Sequence, residues 1–425
     1  MVHDSEFLLQ QFLKSHRVST DTRKIEAGSI FFALKGGNFN GNLFAQDALD
    51  KGAAWVVVDE KTDTDTAKTI QVSDALVALQ NLATAYRRTL KAPIVAITGS
   101  NGKTTTKELL SKVLGAKFNT FATQGNLNNH IGVPLTLLSV PPETEMVVLE
   151  LGANHLHEIE LLARISEPDF GLITNVGLDH LEGYGSLENV AKGHSELFYF
   201  LLKHNKNVFY NKDEEQVARM AARFPNPISY PENGFKIVEN KYFIKLKTAS
   251  GSTISTQLPG TYNFPNVAAA MCIGHYFGVT EKDAIEAIES YQPSNNRSQM
   301  LKTKRNTLLL DAYNANPSSM ELALENLAAM EVGNKVAILG DMFELGSFSD
   351  KEHFRMLEIA SAKPFRMTFA CGHEFCKHRH HFPTIYFFED RSLLQNWLQS
   401  NEIDNCTILL KASRDMALEK LVEVL

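Results

Sequence analysis

The chain has 425 residues, 44% of them hydrophobic and 21% charged, and a formal net charge of −7. This length predicts two or three domains with large cores, and the composition excludes an intrinsically disordered chain. The negative net charge, without a basic stripe, argues against a nucleic-acid-binding or membrane-surface protein, so an anionic ligand would have to be held by local cations and main-chain dipoles.

The sequence has no apolar run close to the roughly 20 residues that a membrane-spanning helix needs. Its N-terminus lacks the basic segment and apolar core of a targeting peptide. The four cysteines are typical of a reducing compartment rather than of a disulfide framework. We therefore predict a cytoplasmic protein without stable membrane association, and we expect it to act as a monomer.

The first 88 residues are predicted to form a small α/β domain. An opening helix is followed by strand-like residues 29–34, a glycine turn at 36–37 and a second strand at 54–59. A helical pattern over 73–90 then leads to Pro93, which marks a domain boundary.

Residues 94–106 carry the most informative pattern in the chain. A β-branched run over 94–98 predicts a buried strand, and the apolar spacing over 104–114 predicts a helix. The segment between them, Gly99-Ser-Asn-Gly-Lys-Thr104, resembles a phosphate-binding loop but is two residues shorter than the usual spacing. Its glycines let N–H groups approach a polyphosphate, its lysine can reach the β- and γ-phosphates, and its threonine suits Mg²⁺. This pattern predicts ATP binding, with a plain glycine-rich turn as the alternative.

Strands and helices alternate through the rest of residues 89–294, which predicts a mainly parallel sheet. The predicted elements are strands at 147–151 and 171–174 and helices at 156–165 and 186–202. Over 235–256 the period changes to two residues, which predicts antiparallel strands at the edge of the same domain, and Pro259-Gly260 then precedes another helix.

The polar stretch 292–297 predicts a second linker, and residues 295–425 are predicted to form a third α/β domain. Its predicted elements are strands at 307–311, 335–340, 366–371 and 407–411 and helices at 318–330, 350–362 and 392–399. This alternation is typical of a Rossmann-like domain, here without the glycine-rich dinucleotide fingerprint. The tract 371–381 could alternatively be a zinc site, although its cysteine and histidine spacing matches no zinc pattern closely.

Polar residues at strand ends are the best candidates for a site, because ligands of open parallel sheets bind outside the carboxyl ends of the strands. Glu150 closes an apolar run, and His180 follows the next predicted strand. Near Lys103 and Thr104, a carboxylate and an imidazole would complete a Mg·ATP site. An edge-exposed acid and a loop or helix-cap histidine are the structural alternatives.

Together these and further motifs resemble the Mur ligase family over essentially the whole chain. The matching segments are Thr20–Arg23 with Gly28–Ala33, Thr98–Thr105, Gly125–Pro134, Glu150–Asn154, Asn175–Glu182, Tyr262–Asn266, Asp311–Pro317, Leu339–Gly346 and Lys411–Arg414. The loop and metal motifs suit any member. The segments 313–317 and 340–346 are more narrowly similar to the branch that uses D-alanyl-D-alanine.

The resemblance implies three domains: an N-terminal one for a UDP-sugar substrate, a central ATPase, and a mobile C-terminal Rossmann-like domain that closes over both. It also implies a two-step ligation with ATP and Mg²⁺ as cofactors. A carboxylate of UDP-N-acetylmuramoyl-tripeptide attacks the γ-phosphorus to give an acyl phosphate, and the amine of D-alanyl-D-alanine then displaces phosphate. The implied role is peptidoglycan precursor synthesis, with no nucleic acid as partner.

The resemblance and the loop pattern together assign residues to the nucleotide, the metal and the substrates. Those for the nucleotide are Gly99, Ser100, Asn101, Gly102, Lys103, Thr104, Thr105, Asn263, Asn266, Arg297 and Asp311. Those for the metal are Thr104, Glu150 and His180, and the catalytic groups are Lys103, Glu150 and His180. Those for the substrates are Thr22, Arg23, Asn128, Asn129, Lys411, Ser413 and Arg414.

Several of these assignments have structural alternatives. They are a helix cap for Asn263, a linker charge for Arg297, a cap of the turn before Pro317 for Asp311, a surface ion pair for Arg23, an asparagine-rich turn for residues 128–129, and a helix cap for residues 411–414.

One position departs from the family pattern. In the family, a lysine fourteen residues after the metal-binding histidine is usually carbamylated and helps to hold a second magnesium ion, whereas this chain has His194 there. Lys192 is close in sequence, but an offset of two residues turns a helical side chain by roughly 200°. We expect His194 to take that place as a neutral metal ligand or hydrogen-bond donor, with a weaker second metal. A solvated His194 without a role is the alternative.

Two other functions stay open at the level of sequence. A neighbouring member of the family, such as a MurE-like amino-acid ligase or a folylpolyglutamate synthase, would share most of the motifs. A nucleotide-binding regulatory protein without catalysis is the rival from another class, and the change at His194 is compatible with it.

Overall fold

The computed structural model describes residues 3–294 and 296–425, so Met1 and Val2 of the predicted first domain and Asn295 of the predicted linker lie outside the described residues. The chain forms three units, each built on a largely parallel sheet with helices packed against it. The predicted α/β fold class is confirmed.

The N-terminal unit is a four-stranded parallel sheet in the order β1-β2-β5-β6, with a separate hairpin of β3 and β4. Its elements are α1 (His3–Ser15), β1 (Val18–Ser19), β2 (Ile30–Phe32), β3 (Lys35–Gly36), β4 (Phe39–Asn40), α2 (Ala45–Asp50), β5 (Trp55–Val58), β6 (Thr69–Gln71) and α3 (Ala75–Arg87). The predicted glycine turn is the turn of the hairpin.

The central unit is a six-stranded parallel sheet in the order β12-β11-β10-β7-β9-β8, followed by a small antiparallel sheet of β13, β14 and β15. Its strands are β7 (Ile94–Thr98), β8 (Thr120–Ala122), β9 (Met146–Glu150), β10 (Phe170–Ile173), β11 (Asn207–Asn211), β12 (Ile228–Tyr230), β13 (Lys236–Asn240), β14 (Ile244–Lys247) and β15 (Thr253–Ser255). Its helices are α4 (Lys103–Gly115), α5 (Gly132–Leu138), α6 (Glu158–Ser166), α7 (Leu181–Tyr184), α8 (Leu187–Lys203), α9 (Glu215–Ala221), α10 (Phe264–Tyr276) and α11 (Glu281–Glu289). The parallel sheet and the antiparallel strands after residue 235 agree with the sequence prediction.

Strand β7 lies in the middle of the central sheet, between β10 and β9. All five of its residues are buried. Because side chains alternate along a strand, Ile94 and Ala96 pack into one hydrophobic cluster, and Val95 and Ile97 pack into a second cluster on the opposite face. A continuous apolar run is what a parallel strand covered on both faces requires, and it places Gly99 at the carboxyl edge of the sheet.

The C-terminal unit is a six-stranded sheet in the order β16-β17-β21-β18-β19-β20, in which β16 pairs antiparallel with β17. Its elements are β16 (Gln299–Lys302), β17 (Thr307–Asp311), α12 (Pro317–Ala329), β18 (Lys335–Gly340), α13 (Ser349–Ser361), β19 (Met367–Cys371), α14 (His373–Cys376), β20 (Tyr386–Phe388), α15 (Arg391–Ser400) and β21 (Thr407–Lys411). The four predicted strands are present. The edge strands β16 and β20 were not predicted, since strands of four and three residues carry too short a pattern to be recognised.

Helix α3 joins the first two units, because one hydrophobic cluster runs from the N-terminal unit through α3 into α5 and α6. Arg87 strengthens this contact. Its guanidinium donates to Ser166 O at 3.0 Å, Glu167 O at 3.1 Å and Asp169 Oδ2 at 2.7 Å. The predicted domain boundaries at 88/89 and 294/295 stay predictions. Within the described residues, no helix is both long and apolar enough to span a bilayer.

We predict that Arg87→Ala lowers the free energy of unfolding by about 2–4 kcal/mol, because it removes the hydrogen bonds of a largely buried guanidinium to Asp169 and to two main-chain oxygens. Asp169 keeps its contacts with Ile94 N and Lys206 Nζ. Arg88→Ala is the matched control, since Arg88 pairs with Glu167 while its own side chain is 65% exposed, and an exposed pair contributes less than about 1 kcal/mol. Thermal and urea unfolding of the two variants would measure the difference. Equal effects would contradict the role given to Arg87.

Candidate functional site

A cleft between the central and C-terminal units gathers most of the predicted site residues. It encloses about 260 Å³. The predicted residues that line it are Ser100, Asn101, Gly102, Lys103, Thr104, Thr105, Asn128, Glu150, His180, Asn263, Asn266, Arg297, Asp311 and Lys411. An adjoining cavity of about 650 Å³ shares Thr104, Arg297 and Tyr313 with the cleft and is also lined by Arg414.

The loop between β7 and α4 has the backbone that its glycines predict. Gly99 has a φ of +129° and Gly102 a φ of +81°, values that residues with a side chain rarely adopt. A Cβ on Gly99 would lie 2.2 Å from Thr174 Oγ1, and one on Gly102 would lie 2.6 Å from Asn266 Oδ1. Helix α4 begins directly after Gly102, so its first N–H groups have no intrahelical partners and can bind an anion.

The segment after β10 braces this loop. Asn101 N donates to Asn175 Oδ1 at 3.0 Å, and Thr174 Oγ1 donates to Asn101 O at 2.6 Å. Ser100 Oγ donates to Asp179 Oδ1 at 2.7 Å. The conformation of the loop is therefore stabilised by hydrogen bonds with residues 174–179.

Lys103 bends back over its own loop, where Nζ donates to the main-chain oxygens of Gly99 and Ser100. A phosphate oxygen carries more negative charge than a carbonyl oxygen and makes a stronger hydrogen bond to an ammonium group. A polyphosphate on the loop would therefore compete for this lysine.

Glu150, the last residue of β9, is only 2% exposed. Its Oε1 accepts from Thr104 Oγ1 at 3.2 Å and from Asn128 Nδ2 at 2.9 Å, whereas its buried Oε2 has no hydrogen-bond partner among the described residues. A buried carboxylate oxygen is costly unless a donor or a cation meets it. Because Mg²⁺ prefers oxygen ligands, Glu150 and Thr104 fit the predicted metal site.

No cluster of three or more His, Cys, Asp and Glu side chains in the described part of the chain is arranged to hold a metal by itself. This is compatible with Mg²⁺, which usually takes one or two carboxylates and completes its shell with substrate phosphates and water. It gives no support to the alternative zinc site at 371–381. There, Cys371 is a buried free thiol, and burial raises its pKa to about 12.

His180 lies directly before α7 and contacts Glu344 of the C-terminal unit. His180 Nδ1 is 2.5 Å from Glu344 Oε2. This hydrogen bond lowers the pKa of Glu344, so the carboxyl group is ionised at neutral pH. The predicted metal-binding histidine thus has a partner from another unit.

His194 lies behind the loop and does not line the cleft. It is 1% exposed, with Nδ1 3.0 Å from Thr98 Oγ1 and Nε2 3.9 Å from Asp179 Oδ2. Burial lowers the pKa of His194 and outweighs the opposing effect of Asp179, so the ring is neutral at pH 7. The alternative of a solvated His194 is wrong, and its role as a metal ligand stays a prediction.

Asn263 and Asn266 line the cleft with amides that are already engaged. Asn263 Nδ2 donates to Pro259 O at 2.8 Å, Asn266 Nδ2 donates to Asn263 Oδ1 at 2.9 Å, and Thr106 Oγ1 donates to Asn266 Oδ1 at 3.1 Å. Asn263 occupies the N-cap position of α10, as the alternative predicted, but its side chain makes no capping hydrogen bond. Contact of the two asparagines with adenine stays a prediction.

The C-terminal unit brings two cations and a carboxylate to the cleft. The Arg297 guanidinium lies 3.5 Å from the centre of the Tyr313 ring, a cation–π contact. The buried Lys411 Nζ donates to Asp311 Oδ2 at 2.6 Å. Asp311 Oδ1 accepts from Ser298 N at 3.1 Å, and the residue that caps α12 is Asn316, so these contacts do not support the alternative role of Asp311 as a turn cap.

Two further residues predicted to bind substrate are engaged with the main chain. Asn129 Oδ1 accepts from Ile131 N at 3.1 Å and Gly132 N at 2.9 Å, as expected for the asparagine-rich turn. Ser413 Oγ accepts from Phe343 N at 2.8 Å. Neither side chain lines the cleft.

Thr22 and Arg23 belong to a short 3₁₀ turn of the N-terminal unit, away from the cleft residues. Arg23 Nη2 lies 2.8 Å from Asp21 Oδ2, and the arginine side chain is 86% exposed. The surface ion pair considered for Arg23 is present. Contact of either residue with a UDP group stays a prediction.

Sequence reasoning assigned no role to Asp179, Tyr313 and Glu344, which also line the cleft. Each lies inside a segment that resembles the family, and this was the available signal. The sequence could not show which neighbour each side chain meets, since His180 and Glu344 are 164 residues apart.

Three family models match the chain in succession. The catalytic domain of the Mur ligase family matches residues 14–95, the Mur ligase middle domain matches residues 97–274, and the Mur ligase glutamate ligase domain matches residues 296–414.

Curated relatives match over nearly the full length. A UDP-N-acetylmuramoyl-tripeptide–D-alanyl-D-alanine ligase of Bacillus subtilis is 34% identical, with 96% of this chain and 92% of the relative covered. The enzyme of that name from Escherichia coli is 36% identical, with 96% and 93% covered.

Solved structures are similar to this chain over nearly its full length. The crystal structure of MurF from Acinetobacter baumannii has a TM-score of 0.88 at 28% identity and covers 99% of this chain and 97% of that chain. MurF from Thermotoga maritima in complex with ADP has a TM-score of 0.86 at 25% identity, with 98% and 97% covered.

We predict that Lys103→Ala lowers kcat by about 10²–10³-fold, because it removes a charge positioned at the phosphate loop. Release of inorganic phosphate from ATP under saturating substrates measures the effect. Lys282→Ala is the control, since it removes the same charge from an exposed position on α11. Near-normal turnover in Lys103→Ala would contradict the assignment of the loop.

We also predict that activity is insensitive to bicarbonate and to Lys192→Ala. Lys192 is exposed and pairs with Glu188 at 3.1 Å, whereas His194 on the same helix is buried toward the loop. Initial rates of the wild-type protein and of Lys192→Ala, each measured in a buffer freed of bicarbonate and again after bicarbonate is added, test this. Strong stimulation by bicarbonate, or carbamylated Lys192 detected by mass spectrometry, would contradict it.

Proposed function

Because the chain belongs to the Mur ligase family, as its motifs predict, we propose that it is an ATP-dependent ligase that joins D-alanyl-D-alanine to UDP-N-acetylmuramoyl-tripeptide. The observation that carries the proposal is the cleft, where a phosphate-binding loop of the central unit meets charged side chains of the C-terminal unit. The names of the relatives at 34% and 36% identity favour this acceptor over a single amino acid.

ATP would place its phosphates on the loop after β7. The N–H groups at the start of α4 and the Lys103 ammonium supply positive potential where the charge of the nucleotide is densest. Arg297, held against Tyr313, would add a second cation from the C-terminal unit. This supports binding of a polyanion by a chain whose net charge is −7.

Mg²⁺ would be held by Thr104 and Glu150, with His180 as the third predicted ligand. When bound, the ion supplies charge neutralisation at the β- and γ-phosphates. The unpartnered Oε2 of Glu150 supports this assignment.

The ligation proceeds in two steps, formation of an acyl phosphate and formation of the amide. A carboxylate oxygen of the tripeptide attacks the γ-phosphorus. The bond between the γ-phosphorus and the bridging oxygen breaks, so that ADP is the leaving group and an acyl phosphate is formed. The free amine of D-alanyl-D-alanine then attacks the acyl carbon. The tetrahedral intermediate loses phosphate, and the nitrogen releases a proton to solvent as the amide forms.

Such chemistry needs positioning and charge stabilisation more than covalent help from the protein. The structure of the cleft suits this requirement, because its cations are oriented by fixed partners. Lys411 is held by Asp311 at 2.6 Å, beside the loop that carries the substrate residues predicted at 413–414.

We expect the reaction to take place in the cytoplasm, where ATP is available, and to require neither nucleic acid nor a membrane. The four cysteines, all within the described residues, are free thiols, which is typical of a reducing compartment. A monomer would suffice, because the cleft is formed by units of one chain.

The proposal is tested with the full chain, ATP, Mg²⁺, UDP-N-acetylmuramoyl-tripeptide and D-alanyl-D-alanine, with the product identified by mass spectrometry. Tripeptides that end in lysine and in diaminopimelate are both supplied, because the sequence does not decide between them. We expect the UDP-pentapeptide, and phosphate release only when both acceptor and UDP-peptide are present. Ligation of a single amino acid in preference to the dipeptide, or absence of any ligation, would overturn the proposal.

A further inference from the structure

The contact between His180 and Glu344 joins two units at the wall of the cleft. His180 precedes α7 of the central unit, and Glu344 lies between β18 and α13 of the C-terminal unit. Nδ1 of the histidine and Oε2 of the glutamate are 2.5 Å apart, and both residues line the cleft.

This contact is fixed by packing on both sides. Leu181, next to the histidine, is buried in one hydrophobic cluster with Met342 and Leu345 of the C-terminal unit. Glu182 N donates to Glu344 O at 3.0 Å. Glu344 has a φ of +62°, a conformation that a residue with a side chain rarely adopts without such support. The carboxylate is therefore aimed by the interface between the units.

Glu344 differs in its partner from the other carboxylates that line the cleft. Glu150 accepts from Thr104 and Asn128, Asp179 accepts from Ser100, and Asp311 accepts from Lys411. The donors to these three acids are hydroxyl groups, an amide group and the Lys411 ammonium. The partner of Glu344 is the imidazole of His180.

The chemistry of this pair determines the state of the histidine. A carboxylate has no hydrogen to donate, so the hydrogen of the short contact belongs to Nδ1 of His180. In the neutral ring, Nε2 then carries the lone pair. A carboxylate that accepts from the second nitrogen is the usual partner of a metal-binding histidine, since it fixes the tautomer and the ring orientation.

We propose that Glu344 is a positioning residue that orients His180 for metal binding, so that the C-terminal unit completes the metal site of the central unit when the two are docked. The inference rests on the proposed function only in taking Mg·ATP as the ligand of the cleft. It assigns a role to a residue that does not itself touch the metal.

The test measures Mn²⁺ binding, by electron paramagnetic resonance, to the full chain in the presence of a non-hydrolysable ATP analogue. Glu344→Ala should weaken Mn²⁺ affinity by about 10–100-fold, with nucleotide affinity in the absence of divalent ions unchanged. Glu344→Gln should recover much of the loss, because the amide oxygen can still accept from Nδ1. Glu182→Ala is the control, since it removes an exposed carboxylate of the same interface.

A double-mutant cycle with His180→Ala separates positioning from a general effect on folding. If Glu344 acts through His180, Glu344→Ala should not weaken Mn²⁺ binding further once the histidine is absent. Wild-type Mn²⁺ affinity in Glu344→Ala, additive losses in the cycle, or an equal loss in Glu344→Gln and Glu344→Ala would each overturn the proposal. Because the readout needs no ligation, absence of peptide product with the predicted Mn²⁺ behaviour would refute the proposed function alone.

Discussion

Burial of β7 on both faces is the constraint on which the cleft depends. This strand lies between β10 and β9, and because both neighbours pair with it in parallel, all three strands end at the same edge of the sheet. The parallel register pairs Ile97 with Glu150 and Thr98 with Ile173. The phosphate loop, the metal-site carboxylate and the bracing segment after β10 therefore meet because of strand pairing, before any side chain selects a ligand.

The cleft solves an electrostatic problem for a chain with net negative charge. Its cations are few, and each is held by a specific acceptor: Lys103 by carbonyl oxygens of its own loop, Lys411 by Asp311, and Arg297 by the ring of Tyr313. Positive charge is thus concentrated at one place by geometry. In a partly buried site this local arrangement outweighs the distant surface charges, which solvent screens.

Local sequence patterns predicted the strand–loop–helix unit at 94–114 and the polar strand ends, because hydrophobic period and glycine spacing act over a few residues. They could not predict competition between side chains. The sequence left a surface ion pair open for Arg23 without identifying Asp21 as the partner, and it did not predict that the Asn263 side chain donates to Pro259 O. Contacts such as that of His180 with Glu344 depend on the docking of distant units, and short edge strands depend on a neighbour to pair with.

The back wall of the phosphate loop gives Lys103 a second electrostatic partner. Asp179 is buried, and burial alone would raise its pKa, yet interactions with His194, Lys103 and Ser100 lower the pKa to about 2. Asp179 therefore stays ionised at pH 7, where burial keeps His194 neutral. Lys103 supplies one of the positive charges that lower the pKa of Asp179. The same ammonium group lines the cleft, so the loop lysine acts both on the buried carboxylate of Asp179 and on the site where phosphates are predicted to bind.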